Sequence, residues 1–135
     1  MSKPPVVLLL ADYGYQNYAT GVFGLRPFIE KNAKSVKAFV DATRKGYAAC
    51  MAGDYAAAMK LMLAMNPEHG EPLFHFKLKE MKARGMVDGG DAATLGIGAM
   101  TDTRWKEFFD TMSAAGVYPA NLDYKSAYTP NFLGK

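Results

Sequence analysis

The run Val6-Val7-Leu8-Leu9-Leu10-Ala11 constrains this chain more than any other feature. It is uninterrupted, β-branched at its start, preceded by Pro4-Pro5 and followed by Asp12-Tyr13-Gly14. Such a run reads as a strand covered on both faces, as inside a parallel sheet. A strand so placed needs neighbours on both edges, because its backbone N–H and C=O groups must be paired once water is excluded. The other strand candidate is Tyr18 to Leu25, which Gly21 and Gly24 weaken. One or two strands followed by a long helix-biased remainder cannot complete a sheet. The chain therefore reads as a piece of something larger, or as one whose strand edges are paired by another copy or capped by its own helices.

The remainder divides at its glycines and prolines. Pro27 suits the first turn of a short helix ending near Lys31. Asn32 or Ser35 can cap a longer helix on which Val36, Phe39, Val40, Thr43, Tyr47, Cys50 and Met51 share one face, with Gly53 at its end. Asp54 is the expected cap of the next helix, where Ala58, Leu61, Met62 and Met65 form a stripe before Asn66-Pro67 stops it, and these two helices are expected to pair antiparallel. Glu71 to Arg84 reads as helix and the glycine-rich stretch Gly85 to Met100 as connector. Thr101-Asp102-Thr103 offers caps for a last helix, with Trp105, Phe108, Phe109 and Met112 on one face and Gly116 beyond its end. The tail carries one short turn near Asp123 to Ala127.

Composition narrows the function classes. Half of the 135 residues are hydrophobic and 21% are charged, as in a globular domain. The net charge of +3 is dispersed, which gives no footprint for nucleic acid. The run at Val6 is far short of the ~20 apolar residues of a membrane helix, and short of a secretory h-region of about 7–15 residues. No export signal is read in the sequence as given. A single cysteine, Cys50, excludes an internal disulfide and any cysteine-cluster metal site.

Most candidate chemistry has a plainer reading. His69 and His75 are six apart, so they cannot form the i, i+4 pair of a helical zinc site. Cys50 falls on an apolar helix face, where a thiol behaves as a small hydrophobe. Gly96-Ile97-Gly98 lacks the third glycine and the preceding strand of a phosphate-cradling loop. Methionines at helical spacing read as core filler. No metal and no cofactor is expected.

Asp12-Tyr13-Gly14-Tyr15-Gln16-Asn17-Tyr18 differs from these, with three tyrosines and three polar side chains in seven residues at the carboxyl end of the expected strand. Open α/β sheets bind ligands at that position. Tyrosine rings can stack on a planar ligand, and Asp12 can accept from an amine or ring N–H. The alternative is a bend whose tyrosines cover the edge of the core.

The order of features resembles the NMT1/THI5-like substrate-binding proteins of ABC transporters. The resemblance is carried by Ala11-Asp12-Tyr13-Gly14, Tyr18, Gly21, Phe28 to Asn32 and Val36 to Tyr47. It continues through Ala56 to Leu63, Asn66-Pro67, Gly85-Met86, Trp105, Ala115-Gly116-Val117 and Tyr128 to Leu133. It implies an α/β, periplasmic-binding-protein-like (type II) two-lobed fold, of which this chain is the carboxy-terminal portion, mostly helical with one or two strands. Residues 1–18 would form the last strand of lobe two and the hinge, and residues 19–135 the return into lobe one with its packing helices. Asp12, Tyr13, Gly14, Tyr15, Asn17 and Tyr18 would line the ligand cleft.

The implied role is capture of a small planar nutrient for a membrane permease, in the periplasm or outside the cytoplasm, without covalent chemistry. The Asp-Tyr-Gly stretch is most similar to the branch that binds thiamine-pyrimidine precursors. Sulfonate- or nitrate-type binding is the alternative within the family, and an enzyme of thiamine-pyrimidine synthesis the alternative outside transport. The latter resembles the same fold but uses a consumed histidine and a cysteine-rich iron motif that this sequence lacks. Unpaired strands also leave self-association open.

Overall fold

The computed structural model describes residues 6–133. Pro4-Pro5, read as the approach to a strand, and the first five residues of the expected 1–18 segment lie outside them. The chain divides into two units, Met1–Phe23 with Met100–Thr129, and Gly24–Ala99 with Pro130–Lys135.

The expected α/β fold is not what forms. The described residues contain helices and turns with no strand and no sheet. Residues 6–9 run outside regular structure, and residues 10–13, the end of the expected strand, wind into a 3-10 turn. Residues 21–25 are likewise without regular structure. The physical reason is the one that makes the strand demanding: neither segment has a neighbour to complete a ladder. Val6 is 88% exposed and Phe23 96%.

In the first unit, the Leu10–Tyr13 turn closes on Gly14, whose φ of +90° places it in the left-handed region that glycine enters without strain. The chain then runs along the helix Asp102–Ala114. Thr101 caps that helix, its Oγ1 accepting from Arg104 N at 3.3 Å. The expected stripe of Trp105, Phe108, Phe109 and Met112 is half-buried throughout. A second 3-10 turn, Tyr124–Ala127, packs on the helix at the place where the sequence predicts a turn.

The second unit is a helical array. In chain order the helices are α1 (Arg26–Lys31), α2 (Ala33–Ala52), α3 (Ala56–Met65), α4 (Glu71–Ala83) and α5 (Asp91–Leu95), with the first unit's Asp102–Ala114 as α6. Helix α1 packs on α2, and α4 is the shared neighbour of α2 and α3. Tyr55, Phe74 and His75 form one ring cluster with centroids 5.6 to 5.8 Å apart. Along α2, Val36, Val40, Thr43, Cys50 and Met51 are half-buried as their spacing predicts, while Phe39 faces water. The stripe expected on α3 turns outward: Ala58, Met59 and Leu63 are half-buried, and Leu61, Met62 and Met65 are exposed.

The glycine-rich stretch read as connector contains α5 and is folded back on itself. Gly89 N donates to Gly85 O at 3.0 Å, and a Cβ at Gly89 would lie 2.5 Å from that oxygen, so only glycine fits. Further along, Arg44 Nε donates to Ile97 O at 2.8 Å while its stem lies beside Gly98. Gly96-Ile97-Gly98 is thus tied to α2 by a cation.

Burial is thin. The chain exposes 10484 Å², and Ala99 is the buried hydrophobic residue among those described. A compact folded monomer of 14.7 kDa exposes about 6,900 Å². Even two separately compact units would expose only about 8,300 Å² on the same scaling. Part of the excess is carried by large apolar side chains left exposed, Phe23, Leu25 and Met65 among them.

Two outcomes follow. The amides of Val7 and Leu8 have no hydrogen bond among the described residues, so they should exchange with deuterium at the rate of an unstructured peptide. Protection of tenfold or more would show a strand partner. Arg44→Ala should lower stability to urea by about 1–3 kcal/mol, the range for leaving a part-buried carbonyl unpaired; an unchanged midpoint by circular dichroism would remove Arg44 from the fold's supports.

Candidate functional site

The site lies in the first unit, where residues 14–18 meet the start of α6. Thr101 N donates to Tyr18 Oη at 2.9 Å, and the same hydroxyl lies 3.3 Å from Thr101 Oγ1. One turn on, Arg104 Nη2 donates to Asn17 O at 3.0 Å, and its guanidinium sits over the Tyr18 ring, 4.6 Å from the centroid. Tyr15 meets Phe108 edge to face, centroids 5.4 Å apart. Tyr18 lies 6.0 Å from Trp105, tilted by 44°. Between these groups is a hollow of about 50 Å³, lined by Asn17, Tyr18, Arg104, Trp105 and Phe108.

The sequence-predicted residues separate accordingly. Asn17 and Tyr18 line the hollow, and Tyr15 stands one ring behind it on Phe108. Asp12 and Tyr13 are on the exposed 3-10 turn, and Gly14 closes that turn; none of the three reaches the hollow. His69 lies 3.7 Å from Glu68, and His75 belongs to the ring cluster of the second unit. No group of three or more histidine, cysteine or carboxylate side chains among the described residues is arranged to hold a metal.

Sequence reasoning missed Arg104, and it assigned Trp105 and Phe108 to the core. Both of those also form a wall of the hollow, a double use that helical spacing alone cannot reveal. The anion argument changes as well. The Asp12–Tyr18 segment carries no cation of its own, and α6 supplies one from 87 positions along the chain. That guanidinium is engaged by the Asn17 carbonyl and the Tyr18 ring.

Behind the wall, Asp102 gathers the tail. Tyr128 Oη donates to Asp102 Oδ1 at 2.7 Å, Tyr124 Oη approaches the same carboxylate at 3.4 Å, and Lys125 Nζ lies 3.7 Å away. The rings lie flat on α6: Tyr128 on Trp105 at 4.9 Å and 8°, Tyr124 on Phe109 at 5.2 Å and 20°. The spacing of Tyr124 and Tyr128 was a signal available in the tail and went unread. Asp102 also stands in the first turn of α6, where the helix dipole favours a negative charge.

These contacts move two ionisations in opposite directions. The Tyr128 hydroxyl, followed by the charge of Lys125, holds the Asp102 carboxyl below its ordinary value. The hydrogen bond to Asp102, then burial and the carboxylate's charge, push Tyr128 up to about 12. A carboxyl with a depressed folded pKa contributes stability above its unfolded value, 3.8, and loses it as pH falls through the folded one. A phenol with a raised pKa contributes below its unfolded value, 10.0, and loses it as pH rises toward 12. The clip should therefore hold Trp105 between about pH 4 and pH 10 and loosen on either side. Near-ultraviolet circular dichroism carried below and above that range should show both transitions in the native chain and a smaller change on each side in Tyr128→Phe.

No curated protein and no solved structure matches the chain. A family model does, over a span that contains all six sequence-predicted site residues and α2 but stops short of α6. Residues 2–57 match the family described as NMT1/THI5 like.

Proposed function

We propose that this chain is part of a solute-binding component of an ABC importer, and that the wall formed by Tyr18, Trp105 and Phe108 receives a small planar nutrient, a thiamine-pyrimidine precursor. The reading rests on the family match over residues 2–57 and on one observation: aromatic rings from two distant segments border a hollow with polar groups at its edge. Flat heteroaromatic rings suit such a wall, since stacking and edge-on aromatic contacts contribute about 0.5–1.5 kcal/mol each beyond area burial. The engaged Arg104 favours a ring over a sulfonate or nitrate, because an anion would have to compete with the Asn17 carbonyl for the guanidinium.

The hollow of about 50 Å³ is far below the roughly 300–1,000 Å³ of a complete small-molecule pocket. On this proposal the chain supplies one wall, and a second lobe closes over it and excludes water. The large apolar side chains left exposed, Val7, Leu10 and Val22 among them, support the same reading. Delivery to a membrane permease, a place outside the cytoplasm and the lack of any covalent step belong to the proposal, as does self-association through Val6–Leu9 where no other strand is at hand.

Trp105 is the sole tryptophan and borders the hollow, so its fluorescence reports occupancy directly. Titration of the 135-residue chain with 4-amino-5-hydroxymethyl-2-methylpyrimidine should quench it saturably. With one wall only, half-saturation is expected at about millimolar, equivalent to about −4 kcal/mol. A linear alkanesulfonate should leave it unchanged. Silence with the pyrimidine, or saturation by the sulfonate alone, would overturn the assignment.

A further inference from the structure

Trp105 carries a group that nothing around it uses. Its indole Nε1 is buried and has no hydrogen-bond partner among the described residues. Leaving such a donor unpaired costs about 1–3 kcal/mol, and buried tryptophan N–H groups ordinarily find an acceptor. The packing does not require an indole. A phenyl ring at this position could still lie on Tyr128 and face Tyr18, without the unsatisfied donor. What tryptophan adds over phenylalanine here is that N–H, on a residue that borders the hollow. Its ring plane is fixed by Tyr128, which lies parallel at 4.9 Å and is itself anchored to Asp102.

We propose that the Trp105 indole N–H is the specificity-determining donor of this wall, taking an in-plane acceptor such as a ring nitrogen and so selecting nitrogen heteroaromatics over carbocyclic rings of the same shape. This inference rests on the ring-binding reading above. The N–H is closed to water in this conformation, so an acceptor reaches it only if the side chains around it move apart. A ligand that forms the hydrogen bond offsets that opening, and a carbocycle does not. Tyr128 and Asp102 act as positioning residues, because they hold the indole plane without touching the hollow.

The test uses the same pyrimidine and its carbocyclic analogue, in which C–H replaces both ring nitrogens, titrated calorimetrically into the native chain and Trp105→Phe. The native chain should bind the pyrimidine about tenfold more tightly than the carbocycle, and Trp105→Phe should erase the difference while its thermal midpoint stays the same or rises. The single indole N–H resonance of the native chain should shift downfield with the pyrimidine and not with the carbocycle, a readout that does not depend on the variant folding. Equal affinity of the native chain for both rings would overturn the inference and leave the ring-binding reading intact. So would a preference that survives in Trp105→Phe, or an indole resonance that never moves. Binding of neither ring to the native chain would remove both.

Discussion

The start of α6 is where this structure commits itself. A helix leaves its first N–H groups without intrahelical acceptors, and here the residues that answer them also assemble the site. Thr101 Oγ1 takes the Arg104 N–H, while the Thr101 N–H goes to the Tyr18 hydroxyl. Arg104 Nη2 returns to the Asn17 carbonyl. Two segments separated by more than eighty residues are thereby fixed to one turn of helix. The rings that flank the hollow inherit their placement from those bonds: Tyr18 through its hydroxyl, Trp105 and Phe108 through their places on the helix.

Asp102 extends the same logic to the opposite side of the helix. One carboxylate receives two tyrosine hydroxyls and stands near a lysine, and both tyrosine rings lie flat against aromatic side chains of α6. The polar atom sets where each ring is anchored and the stacking sets its plane. Neither contact is strong in an exposed setting, since single hydrogen bonds contribute about 0.5–1.5 kcal/mol net. Acting on the same two residues they restrict the Trp105 ring more than either would alone, which is the condition a binding wall needs if it is to meet a flat ligand without reorganising first.

How far the sequence was legible follows from the range of each signal. Helices announce themselves locally, so α2, α4 and α6, the Thr101 cap and the turn after Asp123 could all be read from spacing and capping residues. The α/β expectation failed because a strand is not a local object. Val6 to Ala11 has the composition of a buried strand, but a ladder exists only if a partner does, and the described residues hold none. The outward stripe on α3 has the same origin: Leu61, Met62 and Met65 are spaced for burial, yet spacing does not supply the surface that buries them. At the hollow, Asn17 and Tyr18 belong to the tyrosine-rich polar segment that the sequence singles out, although the strand expected before it does not form. Arg104, Trp105 and Tyr128 were not, since what gives them a role is contact across more than eighty positions with Tyr18, or with one another through α6.

Three features of the structure share one physical description. Among the described residues the apolar segment at Val6 to Leu8 has no ladder partner, Leu61, Met62 and Met65 on α3 have no covering surface, and the hollow is bordered on one side, so in each case one face is present without a complement. Permanent associations bury about 2,000 Å² or more of total surface, and the surface this chain exposes beyond that of two compact units is of that order. What would stabilise these faces lies outside the contacts described: Val6 to Leu8 lacks a ladder partner, and Leu61, Met62 and Met65 lack a covering surface.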